Sequence, residues 1–272
     1  MNALHTLTSI HIYPIKSLAG ISLNEAVVHP RGLQYDRRWM LVDETGRFVS
    51  QREVAEMALL GTALEGPFLT IFSKKNPALR LQIPLAPEVA AMPEIPVQIW
   101  DDHCLARLYA PETNQWFSNQ LGRNVRLVYM AGSTVRMADS QYAPENMPVS
   151  FADGYPFLLI GQASLDGLNS RLEQALPMNR FRPNFVVTSG TPHEEDQWRD
   201  FRIGNQAFRG VKPCARCIVP TTDQDTALRS EEPLKNLATY RKEGRKILFG
   251  QNVIWLGTGE GRVQVGDVLF PE

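Results

Sequence analysis

The sequence predicts a mainly β protein with helical insertions, an α+β chain made of an N-terminal β-barrel-like domain and a second β-barrel domain. Three observations predict it. Short period-2 or β-branched segments alternate with turn signals along most of the chain. Helical patterning is confined to a few short stretches, which argues for barrel-like β architecture. Four prolines, Pro84, Pro87, Pro93 and Pro96, interrupt regular structure and place a linker that divides the chain into residues 1–96 and 97–272. A length of 272 residues exceeds the usual single-domain size and leaves room for both parts.

In chain order, strands are expected at Leu7–Ile15, Ile21–Val28, Arg38–Val42, Arg47–Gln51, Phe68–Phe72 and Leu79–Ile83. Glu44-Thr45-Gly46 and Lys74-Lys75-Asn76-Pro77 supply hairpin connections, because glycine and asparagine tolerate positive φ and proline ends a ladder. Sequential antiparallel pairing is the simplest topology for this third. Beyond the prolines come strands Val97–Trp100 and Cys104–Tyr109. A helix is expected over Pro111–Leu121, with Trp116, Phe117 and Leu121 on one face, and then a strand over Val125–Met130.

Ser164 reads as the N-cap of a helix ending near Leu176, since Leu165, Leu168, Leu172 and Leu176 recur at helical spacing. Strands follow at Asn184–Thr188, Phe201–Phe208, Lys246–Phe249, Val253–Leu256 and Arg262–Phe270, with turns at Gly204-Asn205 and Gly266-Asp267 and a short helix over Pro233–Arg241.

Composition narrows the function. Hydrophobic residues at 43%, charged residues at 21% and a formal net charge of −1 describe a globular chain with no bulk attraction to nucleic acid or anionic membrane, so any anion site is local. The basic pairs Lys74-Lys75 and Arg241-Lys242 are too short to change this. Three cysteines cannot build a disulfide framework for this length, which points to a reducing compartment. The opening Met1-Asn2-Ala3-Leu4-His5-Thr6 has neither a basic n-region nor an apolar h-region, and no apolar run reaches the spanning length of roughly 18 residues. A cytoplasmic protein is expected.

Chemistry concentrates at Val211-Lys212-Pro213-Cys214-Ala215-Arg216-Cys217-Ile218-Val219-Pro220, where an arginine directly precedes the second of two cysteines. Four readings of the pair are open. Both thiols could be small buried hydrophobes, although Arg216 between them argues against it. A structural zinc site needs further ligands, and the chain offers only His103-Cys104 and the scattered His5, His11, His29 and His193. A thioredoxin-like dithiol would open a helix, whereas Ile218-Val219-Pro220-Thr221-Thr222 follows here. A single thiolate ligand to a transition metal requires cofactor-binding residues elsewhere.

Four clusters meet that requirement: Tyr13-Pro14-Ile15-Lys16-Ser17, Asp36-Arg37-Arg38-Trp39, Ser150-Phe151-Ala152-Asp153-Gly154-Tyr155-Pro156-Phe157, and Phe181-Arg182-Pro183-Asn184. Singly, each reads as solvated charges, a turn or a loop. Their combination is informative. In order with Lys212-Pro213-Cys214-Ala215-Arg216-Cys217 and Phe249-Gly250-Gln251-Asn252, they resemble the MOSC family over about Ile10 to Asp267. More narrowly, the chain resembles bacterial two-part proteins with an N-terminal MOSC-associated β-barrel before the MOSC domain, relatives of the mitochondrial amidoxime-reducing component.

The resemblance implies a mononuclear molybdenum enzyme whose metal is held by the dithiolene of molybdopterin, as the molybdenum cofactor, and by one protein cysteine. Motif alignment makes that cysteine Cys217, the catalytic and metal-ligating residue. The family's phosphate and pterin contacts map onto Lys16, Ser17, Arg37, the Asp153-Gly154-Tyr155 turn, Arg182 and Asn184, with Arg216 adding positive charge. The residue types suit the task. A phosphate dianion is held by point charges and forked donors, and an amide such as that of Asn184 bonds pterin edges. Two cofactor sulfurs leave one protein thiolate sufficient, so Cys214 is expected as a packed neighbour.

The implied reaction reduces small N-hydroxylated compounds such as amidoximes, hydroxylamines and N-hydroxylated nucleobases. No cysteine cluster follows Cys217, so no iron–sulfur domain is expected, and a separate electron donor of ferredoxin, flavin reductase or cytochrome type is. Neither a membrane anchor nor a pyridoxal-phosphate domain is expected. The alternative function is transfer of the molybdenum cofactor, or of a persulfide sulfur, to another enzyme.

Overall fold

The computed structural model describes residues 5–144 and 146–272. Met1–Leu4 of the opening read for a leader lie outside the described residues. The chain is mainly β with three α-helices among the described residues, Pro111–Leu121, Gln162–Asn169 and Leu234–Tyr240.

A closed barrel dominates the second half. Around it run Phe157–Gly161, Phe185–Val187, His5–Ile12, Val268–Pro271, Asp200–Ile203, Gln206–Ala215 and Lys246–Trp255, the last pairing back to Phe157–Gly161. Only Phe157–Gly161 and Phe185–Val187 run parallel in this ring, and the crossover they need carries the helix Gln162–Asn169. Leu7, Ile10, Ile12, Phe157, Phe185, Phe201, Phe208, Val253, Trp255 and Leu269 fill the interior. Leu7 and Ile10 are three residues apart and would face opposite ways in a regular strand. A register shift between Leu7 and Ser9 turns both inward.

The first strand therefore corrects the expected topology. His5–Ile12 pairs with Phe185–Val187 and Val268–Pro271, so the N-terminus completes the barrel of the second half instead of starting a separate sequential meander. Glu25–His29 likewise pairs with Gly261–Gln264. The second unit is a half-barrel. Its four-stranded sheet orders Trp39–Val42, Arg126–Tyr129, Asp102–Leu108 and Glu94–Ile99, and its three-stranded sheet holds Leu60–Glu65, Phe68–Ser73 and Arg80–Pro84. The expected junction at 96/97 falls inside the strand Glu94–Ile99, within a sheet shared by both sides. Pro96 is tolerated there because the strand is an edge, where a missing N–H breaks no second ladder.

Pro111–Leu121 forms as expected: Pro111 opens it, Gly122 ends it in the left-handed region, and Phe117 is buried with Trp116 and Leu121 packed alongside. Three local expectations need correction. Arg47–Gln51 is not a ladder strand, since only isolated bridges join Phe48 to Val42 and Arg47 to Gln98. Ser164 is no N-cap. The helix starts at Gln162 after Gly161, and the Ser164 hydroxyl donates to the buried Glu195 carboxylate at 2.7 Å. That helix ends at Asn169, whose side chain closes the following turn by bonding both the N–H and the carbonyl of Leu176. Finally, Lys246–Phe249 and Val253–Leu256 belong to one strand, Lys246–Trp255, carried through Gly250 at φ +78. A Cβ at Gly250 would stand 2.6 Å from Ile160 Cγ1 and 3.0 Å from the Leu159 carbonyl oxygen, so only glycine fits that crossing.

Candidate active site

Tyr13 to Ser17 leaves the barrel strand His5–Ile12 and runs beside the half-barrel, with Lys16 N–H donating to Trp39 O and Arg37 N–H to Tyr13 O. This crossing brings the N-terminal motifs against the loops that precede Phe157–Gly161 and Phe185–Val187. The cleft so formed holds about 830 Å³ of empty space, counted out to its open mouth. Lys16, Ser17, Arg37, Asp153, Gly154, Tyr155, Arg182, Asn184, Arg216 and Cys217 all line it, so every site residue named from the sequence is gathered in one place.

The backbone is strained at this site. Ser17 (φ 69), Arg37 (φ 49) and Arg182 (φ 57) each adopt the left-handed region that residues with a Cβ avoid, at a cost of roughly 1–3 kcal/mol apiece. Packing holds them there. Arg37 and Arg182 both stack on the buried Tyr13 ring, 4.3 and 4.2 Å from its centroid. Arg37 also donates to Asp36 Oδ2 at 2.6 Å, to Asn184 Oδ1 at 3.1 Å and to Arg182 O at 3.2 Å.

The charges do not balance. Lys16, Arg37, Arg52, Arg182 and Arg216 face the cleft, whereas the carboxylates that pair with them there are Asp36 and Asp153. Arg182 and Arg216 form no ion pair among the described residues. Burial pulls Arg182 down to about 10, with Tyr13 opposing the shift and Arg37 adding to it. Arg216 donates to Phe181 O at 2.8 Å and to Cys214 Sγ at 3.3 Å, and its Nε has no partner. An excess of cations held in a concave, partly dry site is a receptor for a polyanion.

Asp153 is the hub of one side. Burial of its turn opposes its charge, but Lys16 and Arg52 outweigh that and hold the carboxyl well below the usual range. Burial pushes Lys16 down to about 8 against the pull of Asp153. The unfolded chain carries this amine near 10.5, so between those two pH values it binds more protons than the folded chain, and cofactor-free protein gains stability as pH rises. The expected gain, on the order of 1–3 kcal/mol in urea unfolding from pH 7 to 10, is removed by Lys16→Met. An unchanged slope in that variant would refute the assignment. The same deprotonation takes a positive charge from the cleft above about pH 8.

Two features went unread in the sequence. Arg52 donates to Asp153 Oδ2 at 3.0 Å, lies 4.2 Å from the Trp100 ring centroid and interacts with the Cys217 thiol. Burial works against its charge, yet Asp153 and Cys217 raise its pKa on balance. No spacing rule links Gln51-Arg52 to a cysteine 165 positions later, so only the folded chain reveals the pair. Asn184 also differs from expectation. Its oxygen accepts from Arg37 and from Leu158 N–H, and its nitrogen donates to His11 O and to the Asp36 carboxylate, so its amide is spent on holding the site together.

All three cysteines are free. Cys104 is buried in the half-barrel core, while Cys214 and Cys217 are partly exposed at the cleft. Among the described residues no group of three or more His, Cys, Asp and Glu side chains converges as a metal site, so the protein alone does not assemble a zinc ligand set around the cysteine pair. A thiol at a cationic cleft, with a second one tied to Arg216, is a different donor set. It suits a group that brings its own sulfur ligands and phosphate, and the unpartnered Nε of Arg216 marks a polar position in the lining that such a group would satisfy.

Fold and cleft define a two-part β protein: residues 4–124 match the MOSC N-terminal beta barrel domain, and residues 146–270 match the MOSC domain. The chain belongs to the MOSC family. It is 31% identical to mitochondrial amidoxime-reducing component 1 of Mus musculus, over 97% of this chain and 82% of that protein, and 30% identical to the Homo sapiens counterpart over the same shares. It is also 32% identical to the molybdenum cofactor sulfurase of Oryza sativa over 97% of this chain, and there it spans 35% of the relative's length. Among the described residues no helix is long and apolar enough to cross a membrane.

Proposed function

We propose that this protein is a molybdenum cofactor-dependent oxidoreductase that reduces small N-hydroxylated compounds, amidoximes, hydroxylamines and N-hydroxylated nucleobases among them. The observation that carries this reading is the partly exposed thiol of Cys217, beside a Cys214 sulfur that accepts from Arg216, in a cleft whose five cationic side chains are paired with only two carboxylates. Cys217 is the metal ligand. Lys16, Ser17, Arg37, Arg182 and the backbone of the Asp153-Gly154 turn hold the phosphate end, and Tyr155 and Asn184 line the pterin side. Arg216 and Arg52 place positive charge on either side of the thiol.

Once bound, the cofactor would supply two-electron oxygen-transfer chemistry at the metal that Cys217 would hold. The protein's part is to bind, orient and exclude. Arg52 walls one side of the site with its guanidinium packed on the Trp100 ring, and it stays charged against Asp153 and Cys217. The overall step consumes the substrate N–O bond, two electrons and two protons, and yields the amine or amidine and water. The electrons come from a separate donor protein of ferredoxin, flavin reductase or cytochrome type, in a cytoplasmic setting.

The test is molybdenum and pterin content of protein purified from cells that make the cofactor, followed by amidoxime reduction with an added donor. Near-equal molybdenum and pterin with turnover is the expected result. Cofactor without turnover on any N-hydroxylated substrate would favour the cofactor-transfer alternative, which the similarity to the sulfurases keeps in play. Protein without pterin would overturn both and leave the persulfide branch of that alternative.

A further inference from the structure

Residues 150–153 form a strap under the cleft whose carbonyls are tied to two buried cations. Arg136 donates from Nη1 to Ser150 O and to Ala152 O, both at 2.6 Å, and from Nη2 to Asp153 O at 3.1 Å. Lys16 Nζ donates to Phe151 O at 2.8 Å. The Arg136 side chain is only 2% exposed, does not line the cleft and is braced by Asp102, whose Oδ2 accepts from Nε at 2.9 Å.

Within a peptide unit the carbonyl of one residue and the N–H of the next point in opposite directions. Tying the carbonyls of Ala152 and Asp153 to Arg136 therefore turns the N–H groups of Asp153 and Gly154 the other way. Both residues line the cleft, and neither N–H has a protein acceptor among the described residues. The preceding two are satisfied, Phe151 N–H by Arg37 O and Ala152 N–H by Ser150 Oγ. Adjacent backbone donors left free in a concave, cationic site make an anion-binding nest.

We propose that Arg136 is a positioning residue that fixes this strap and so presents the Asp153 and Gly154 N–H groups to the phosphate end of the bound cofactor. The proposal rests on the function given above for the site. Arg136 touches no ligand; it acts through the carbonyls that it holds. Its planar fork reaches three of them at once, which a lysine ammonium cannot reproduce, although a lysine would keep the charge. Comparing the two residues separates positioning from simple electrostatic attraction.

The experiment titrates inorganic phosphate into cofactor-free protein and follows backbone amide shifts. Saturable shifts at Asp153 and Gly154 are expected in the wild type. Arg136→Lys is expected to weaken phosphate binding by about tenfold and to abolish those two shifts while the melting temperature stays within a few degrees. Should that variant fail to fold, Asp102→Asn is read in the same way, with about threefold weakening expected. Wild-type affinity and shifts in the folded variant, or no response at Asp153 and Gly154 in the wild type, would overturn the proposal. Pterin content measured in parallel separates the two claims. Pterin bound without an amide response overturns the nest alone, and an amide response in protein that never acquires pterin overturns the molybdenum reading alone.

Discussion

Cys217→Ala is expected to abolish both molybdenum retention and turnover, with activity down by about 100-fold or more, while the fold is untouched. The thiol is partly exposed and sits outside the strand ladder, so its loss opens no core cavity, and stability should move by no more than about 0.5 kcal/mol. Cys214→Ala is the control. Its sulfur accepts a hydrogen bond from Arg216 at 3.3 Å and lines the same cleft, so its loss loosens that arginine and lowers turnover by about fivefold at most. Equal loss of bound molybdenum and of turnover in the two variants would reject Cys217 as the sole protein ligand and point to a dithiol acting as a unit.

Arg182→Met should separate stability from function. The guanidinium is held at positive φ beside Arg37 and without an ion pair among the described residues, and burial pulls its pKa down to about 10. Methionine keeps much of the stem against Tyr13 and removes a poorly solvated like charge, at the expense of the cation–π contact at 4.2 Å. Cofactor-free variant protein is expected to gain about 1 kcal/mol, or roughly 2–4 °C in melting temperature. Pterin content is expected to fall by about tenfold or more, because a forked donor to the phosphate end is lost. A variant that is less stable and still loaded would show that Arg182 is structural and that its charge does not serve the cofactor.

Both predictions concern residues that were legible in the sequence, and the reason is chemical. Lysine, arginine and cysteine set in proline- and glycine-bearing loops announce local chemistry at short spacing, and six such clusters in fixed order are hard to produce by packing alone. What those residues do for one another was not legible. Lys16 reads as a free cation in the chain but is paired with Asp153 in the fold, and Asn184 reads as a free amide but is spent on Arg37, Leu158, His11 and Asp36. Arg136 lies in a stretch with no motif, and its importance comes only from the carbonyls around it.

The sequence by itself determined the β class, the position of the helix Pro111–Leu121, the turns at Gly46 and Gly204, and the charged side chains that line the cleft, Arg52 excepted. Each depends on periodicity, turn chemistry or residue type within a few positions. Tertiary structure decided which strands pair: His5–Ile12 closes a barrel with segments more than 170 residues away, and the proline-rich stretch sits at a sheet edge instead of between domains. Local pattern tells a strand which face is apolar, but not which of several apolar edges will cover it. That choice is made by the competition among all strands for burial, which exists only once the chain has collapsed.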